Sequence, residues 1–225
     1  RRGRKLSKSP RSSCYLHSDQ KPQLSFKRVL ADNSYSQFKH FKNPNSGNSS
    51  DSHPYESEIN ALLENPRLPE IELDDRRALG MGDGYVWVET ESQLNELAVA
   101  LSGERVFAVD TEHHSVRSFL GFTALVQIST KTRDYLVDTI ALHDVMGVLR
   151  PIFVDPNILK VFHGADNDVL WLQRDFHLYV VNLFDTAKAC EVLSKPYKSL
   201  AYLLEMYCGV ATNKLLQRED WRQRP

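Results

Sequence analysis

Val106-Phe107-Ala108-Val109-Asp110-Thr111-Glu112 reads as a strand that begins apolar and ends acidic. Side chains two apart on a strand share a face, so Asp110 and Glu112 point the same way, roughly 7 Å apart along the chain at a rise of about 3.3 Å per residue. Carboxylates beside a hydrophobic strand are costly unless something pairs with them, and a divalent cation with a taste for hard oxygen ligands accounts for two at once. Acidic pairs at the same spacing recur at Glu56/Glu58, Glu70/Glu72, Glu89/Glu91 and Asp166/Asp168, so spacing alone decides little. Only Asp110/Glu112 emerges from a run with the pattern of a buried strand.

Downstream of this strand the pattern is that of a mixed α/β domain. Strands are predicted over 123–129 and 135–138, and the short loops between them favour antiparallel pairing, because a parallel crossover needs a dozen or more residues. A helix over 142–153, a strand over 159–163, a helix over 168–176 and a strand over 180–184 then alternate in the manner of parallel units. Helices over 186–193 and 199–207 complete the order. Three meandering strands followed by α-β-α-β predict a ribonuclease-H-like mixed sheet with flanking helices. In such a sheet, a carboxylate at the start of the helix after the fourth strand faces the first strand's pair. Asp168 holds that place and Asp166 competes for it, with capping or a first-turn acid as the alternative role for either.

Upstream, the chain changes character. Over the first fifty residues eleven Lys and Arg face only Asp19 and Asp32, although the 225-residue chain as a whole carries a formal net charge of -1. Overall charge therefore names no partner. Residues 1–52, with the tract Asn43-Pro44-Asn45-Ser46-Gly47-Asn48-Ser49-Ser50, are expected to form a basic, mostly disordered arm, since such composition buries too little surface to offset ordering entropy. Within it Arg1-Arg2-Gly3-Arg4-Lys5 fits an import patch, an RNA tether or a plain solvated tail. Residues 53–104 read as an extended lead-in with a short helix near 56–64, a strand at Tyr85-Val86-Trp87-Val88, and a helix over 89–101 capped by Thr90. Gly80-Met81-Gly82-Asp83-Gly84 lacks the Lys and the following helix of a phosphate loop and reads as a turn. Residues 105–225 form the principal domain.

Cys14, Cys190 and Cys208 are widely spaced and odd in number, which argues for a reducing compartment and against a structural zinc site. His113 and His114 are adjacent and so face opposite ways on a strand, which disfavours a shared zinc. His163 on an apolar strand reads as a hydrogen-bonded core residue. No apolar stretch is long enough to span a bilayer, and no membrane partner is expected.

The runs Phe107-Ala108-Val109-Asp110-Thr111-Glu112-His113-His114-Ser115, Arg117-Ser118-Phe119-Leu120-Gly121, Gln127-Ile128-Ser129-Thr130 and Val161-Phe162-His163-Gly164-Ala165-Asp166-Asn167-Asp168 closely resemble the exonuclease domain of the RNase D-like 3′→5′ exoribonuclease subunit of the nuclear RNA exosome. So do Leu183-Phe184-Asp185-Thr186 and Asp220-Trp221-Arg222-Gln223-Arg224-Pro225. The resemblance implies a DEDD-type exonuclease in which Asp110, Glu112 and Asp168 are catalytic and metal-binding. It implies two Mg2+ or Mn2+ ions and a single-stranded RNA 3′ end as substrate, with His113, His114 and His163 as candidate substrate contacts. It further implies exosome core subunits as partners, docking through the region 21–44, no small-molecule cofactor, and a nuclear location with the nucleolus as a candidate compartment.

The family's third motif, a Tyr followed four residues later by an Asp, normally lies shortly after the Asp-Trp-Arg segment. Tyr202, Tyr207, Asp185 and Asp220 do not substitute for it. The chain as given is therefore expected to be C-terminally incomplete, to leave a core face uncovered and to be inactive by itself. Val116, where relatives often carry Tyr, and Arg218, where an apolar residue is usual, depart from the pattern outside the metal site. A non-catalytic RNA-binding or exosome-tethering role and an RNase D-type tRNA-processing or DNA-proofreading role are the alternatives.

Overall fold

The computed structural model describes residues 21–43, 52–69, 84–115, 118–212 and 220–225. The expectations placed on 1–20, on the polar tract, on 80–83, on Val116 and on Arg218 lie outside these residues. A six-stranded mixed sheet organises the chain, built from β1 (Val86–Val88), β2 (Val106–His114), β3 (Phe122–Ser129), β4 (Asp134–Val137), β5 (Leu159–Phe162) and β6 (Leu183–Asp185). Their order across the sheet is β1-β4-β3-β2-β5-β6. The β2-β3-β4 meander is antiparallel, while β5 joins β2, and β6 joins β5, in parallel. β1 adds in parallel to the outer side of β4, so the short strand of the lead-in is the sheet's edge.

The alternation of β2 decides its two faces. Phe107, Val109 and Thr111 are buried, whereas Ala108 and Asp110 are open to solvent. The buried side packs on α2 (Glu91–Ser102), through Leu94, Leu97 and Leu101, and on α4 (Asp166–Phe176), through Leu172 and Phe176, in one continuous core. A Thr90-Gln93 capping box starts α2, satisfying donors that the first turn leaves orphaned. The pairing of β2 with β3 slips after Glu112↔Leu125 to His113↔Thr123, so Ala124 is one residue extra on β3 and the ladder bulges there.

Three elements differ from the sequence expectation. The helix predicted over 142–153 is a 3-10 turn over His143–Leu149 followed by the short α3 (Arg150–Phe153), with Pro151 fitting only the first turn of a new helix. The strand predicted over 180–184 starts late at Leu183. Before it, Tyr179 and Val181 are buried in a satellite cluster with Tyr55, and Asn182 adopts a positive φ of 60°. The helix predicted over 199–207 is α6 (Leu200–Leu203) running into a π turn at Leu204–Cys208. Leu193, Tyr197, Met206 and Tyr207 stand exposed near this end of the fold, around α5 (Thr186–Val192) and α6.

Residues 21–43, expected to belong to a disordered arm, instead lie against the domain. Phe26 stacks on His143 with ring centroids 3.7 Å apart, and the backbone N–H groups of Lys27 and Arg28 donate to Asp144 at 3.2 and 2.8 Å. The Phe41 ring lies beneath the Arg150 guanidinium at 3.9 Å, and its N–H donates to the Tyr179 hydroxyl at 3.1 Å. Regularly spaced aromatics in polar sequence supply enough apolar contact to hold an otherwise irregular segment. Beyond it, α1 (Glu56–Glu64) packs Ile59 and Leu62 on the same satellite cluster. Among the described residues, no helix is long and apolar enough to cross a membrane.

Candidate active site

Asp110 and Glu112 leave the open face of β2 where β3 and β5 flank it. A groove of about 310 Å³ begins there, lined by Asp110, Gln127, Ser129, His163, Thr186 and Leu200 among others. β2 pairs with β5 only as far as Ala108↔Val161. Past that point the Thr111 N–H needs another acceptor, and Asp168 in the first turn of α4 provides it: its Oδ1 accepts the Thr111 N–H at 3.0 Å and the Thr111 hydroxyl at 2.6 Å. Asp168 is 7% exposed. Its rival Asp166 faces solvent and meets Lys188 at 3.6 Å, and neither caps the helix, whose N-cap is Ala165. Position in the helix turn thus separates two acids that spacing alone left level, Asp168 being the one that the resemblance singles out.

The three carboxylates are electrostatically uncomfortable. Desolvation pushes Asp110 up to about 6, and the negative charge of Asp168 adds to the rise. Desolvation, then repulsion from Asp110 and Asp168, pushes Glu112 up to about 7, against the relief of a hydrogen bond from Gln127 Nε2 at 3.1 Å. Asp168 is raised by burial despite its two Thr111 donors. Crowded, partly desolvated carboxylates of this kind suit a cation, which would reverse the penalty of ionising them together. The donor set therefore fits a divalent metal in type. As placed, with Asp168 leaning to Thr111 and Glu112 to Gln127, no three His, Cys, Asp or Glu among the described residues converge as a ready-made cage.

The histidines separate as their strand positions require. His113 stacks on Trp171 of α4 with centroids 4.3 Å apart and planes 11° apart, and Arg174 Nη2 lies 3.4 Å from its Nε2. Burial and then the Arg174 charge hold its pKa below the usual histidine value. His114 turns the other way and is buried 3.6 Å from Asp220. His163 is half-buried rather than a full core residue, and its Nδ1 pairs with Thr186 Oγ1 at 2.8 Å on the groove wall. Asp185 accepts from the N–H groups of Gly164, Ala165, Ala187 and Lys188, so it ties the start of α4 to the start of α5. Desolvation opposes its ionisation, but these four donors hold its pKa below the usual value.

Asp220 and Asp138 anchor the last described segment. Arg222 makes a two-pronged contact with the buried Asp220 at 2.9 and 2.7 Å. Arg224 does the same to Asp138 at 2.6 and 2.7 Å and also donates to the carbonyl of Ala124 at 2.9 Å. Sequence reading overlooked Thr111, Gln127 and Trp171 as parts of the site. Trp171 lay within reach of it, one helical turn from Asp168 on the same face.

Residues 85–225 match the family model described as 3′-5′ exonuclease. Protein RRP6-like 3 of Arabidopsis thaliana is 70% identical over 230 residues, covering 100% of this chain and 26% of that protein. Exosome complex component 10 of Mus musculus is 48% identical over 179 residues, covering 77% of this chain and 20% of that protein. This chain thus spans about a quarter of the length of such relatives. The crystal structure of the catalytic core of RRP6 from Trypanosoma brucei superposes with a TM-score of 0.76 at 39% identity, over 92% of this chain and 58% of that one. Escherichia coli RNase D superposes with a TM-score of 0.59 at 27% identity, over 63% of this chain and 38% of that one. The enzymes of this family are generally divalent-metal-dependent. With a ribonuclease-H-like sheet, its family model and these relatives in agreement, the chain belongs to the RRP6-like, exosome-associated family of 3′-5′ exonucleases.

Proposed function

We propose that this chain supplies the principal metal-binding half of a nuclear 3′→5′ exoribonuclease that shortens RNA from single-stranded 3′ ends together with the exosome. What supports the reading is that Asp110 and Glu112 of β2 and Asp168 of α4 lie close enough to raise one another's resistance to ionisation, beside a groove that Asp110 lines. Asp110, Glu112 and Asp168 would hold the cations, for which Mg2+ is the best fit to a site of carboxylate and phosphate oxygens. Bound divalent ions supply an activated water and stabilise the departing 3′ oxygen. The chain's own part is to fix these oxygens on a rigid strand and helix. The His113-Trp171 stack, with Trp171 one helical turn from Asp168, would be a surface on which an unpaired base could settle.

The family's third motif, a Tyr and an Asp four residues apart, would complete the site in the whole protein. Exosome core proteins are the proposed partners. Because Phe26, Phe38 and Phe41 dock on the chain's own domain, Tyr35, which is fully exposed, is the aromatic of this region best placed to reach them.

The test is degradation of a single-stranded RNA by the full-length protein and its Asp110→Asn and Asp168→Asn variants. Loss of a metal ligand should lower the rate by at least about a hundredfold, the equivalent of several kcal/mol of charge stabilisation. Unimpaired degradation by either variant would refute the assignment.

A further inference from the structure

Asp168 and Glu112 are held in different ways. The former takes two donors from one residue of the strand it faces, one of them a backbone N–H. The latter, longer by one rotatable bond, takes a single side-chain amide from the neighbouring strand: Gln127 Nε2 to Glu112 Oε1 at 3.1 Å. The sheet register explains the reach. Gln127 lies directly opposite Asp110, one pleat away from the Glu112↔Leu125 pair, so its side chain rises from the same open face and leans diagonally onto Glu112. Only a donor satisfies a carboxylate, and an amide offers one without bringing a charge that would compete with a cation. The contact uses Oε1, and Gln127 makes no bond to Oε2.

We infer that Gln127 is a positioning residue, which presents Glu112 to the divalent cation by holding one of its oxygens. The inference rests on the reading of Asp110, Glu112 and Asp168 as the cation's ligands. Groups that orient metal ligands from outside the coordination sphere typically carry about ten- to a hundredfold of metal affinity.

Gln127→Met keeps the length and bulk of the side chain and removes its donor, while Gln127→Glu keeps the shape and replaces the donor with an acceptor. Mn2+ binding to the full-length protein would be followed by electron paramagnetic resonance and by the rise in melting temperature that Mn2+ produces, with Glu112→Gln as the reference. The expected result is that both Gln127 variants bind Mn2+ about tenfold or more weakly than the parent. Gln127→Met should melt at the parental temperature in metal-free buffer, and its RNA cleavage should recover towards the parental kcat at high Mn2+ with KM for RNA unchanged. If Gln127→Met binds Mn2+ like the parent while Glu112→Gln does not, the positioning role is overturned and the carboxylate reading stands. If Glu112→Gln also binds like the parent, the carboxylate reading fails and the inference falls with it.

Discussion

Thr111 donates twice to a single oxygen of Asp168, through its backbone N–H at 3.0 Å and its hydroxyl at 2.6 Å. This joins the strand bearing Asp110 and Glu112 to the helix bearing the third carboxylate, in a place where β5 no longer pairs with β2. Thr111→Val preserves shape and the backbone bond but loses the hydroxyl. Hydrogen bonds to charged groups contribute about 1.5–3 kcal/mol, so a loss in that range is expected in urea denaturation, with Thr111→Ser recovering most of it.

Gly121 has a φ of +63°, and a Cβ there would stand 2.2 Å from His113 Cε1 and 2.6 Å from the His114 carbonyl oxygen. The imidazole could move, at the expense of its stacking on Trp171, but the backbone oxygen could not. Gly121→Ala should cost roughly 2 kcal/mol or more, since left-handed backbone alone costs about 1–2 kcal/mol for an L-residue. Gly103→Ala is the control, because its nearest contact is a comfortable 3.6 Å. Thermal melting of the two variants distinguishes them.

Lys160 is fully buried on β5, its Nζ donating to the Asp155 carbonyl at 2.8 Å, and desolvation brings its pKa down to about 7. An unfolded lysine keeps its proton up to about pH 10.4. Between these values the unfolded chain binds more protons than the folded one, so this residue makes stability rise with pH from about 7 upward. Below about pH 7 the penalty of burying the charge is present in full. Lys160→Met should therefore raise the melting temperature more at pH 6.5 than at pH 9.5, with the gap narrowing by at least about 3 °C.

Tyr179 binds the segment 21–43 through one hydroxyl, which accepts from the Phe41 N–H at 3.1 Å and pairs with His40 Nδ1 at 3.0 Å. Tyr179→Phe should speed amide exchange over 39–43 by about tenfold, the equivalent of one ordinary hydrogen bond, while the β2-β3 amides keep their protection. Unaltered exchange at 39–43 would show that the Tyr179 hydroxyl does not hold the segment.

Arg224 contacts Asp138 twice and the Ala124 carbonyl once. Arg224→Ala leaves Asp138, 5% exposed, without its cation and should destabilise the fold by about 3 kcal/mol, as measured by chemical denaturation.

Much of this architecture was legible in the chain because it follows from periodicity. The alternation of β2, the short links of the meander and the Thr90 cap are local signals, and the resemblance of the Asp110 and Asp168 segments carried the site. What escaped depends on partners remote in sequence. The pairing of β1 with β4 spans nearly fifty residues, and three residues of strand pattern cannot say which edge they join. The docking of 21–43 rests on aromatics whose targets, His143, His177 and Arg150, are over a hundred residues away. The 3-10 turn over His143–Leu149 carries apolar spacing close to that of an α-helix, and only packing decided between them. Gln127 and Thr111 were invisible as site residues because their roles come from register, which composition does not encode.

The bulge at Ala124 has a consequence for how the sheet finds its pairing. At this one-residue offset the Ala124 carbonyl accepts from Arg224 and the Thr123 carbonyl accepts from the Thr139 hydroxyl at 2.8 Å, so two consecutive carbonyls of the bulge are held by residues outside the β2-β3 ladder. Since a slip of one residue also reverses which side chains face the groove, the clamp made by Arg224 rewards the same alignment that sets Asp110, Glu112 and Gln127 on one side. The segment 220–225 thus fastens the sheet next to the bulge, through Arg224 on Asp138 and on the Ala124 carbonyl, in the alignment that sets the carboxylates on one side.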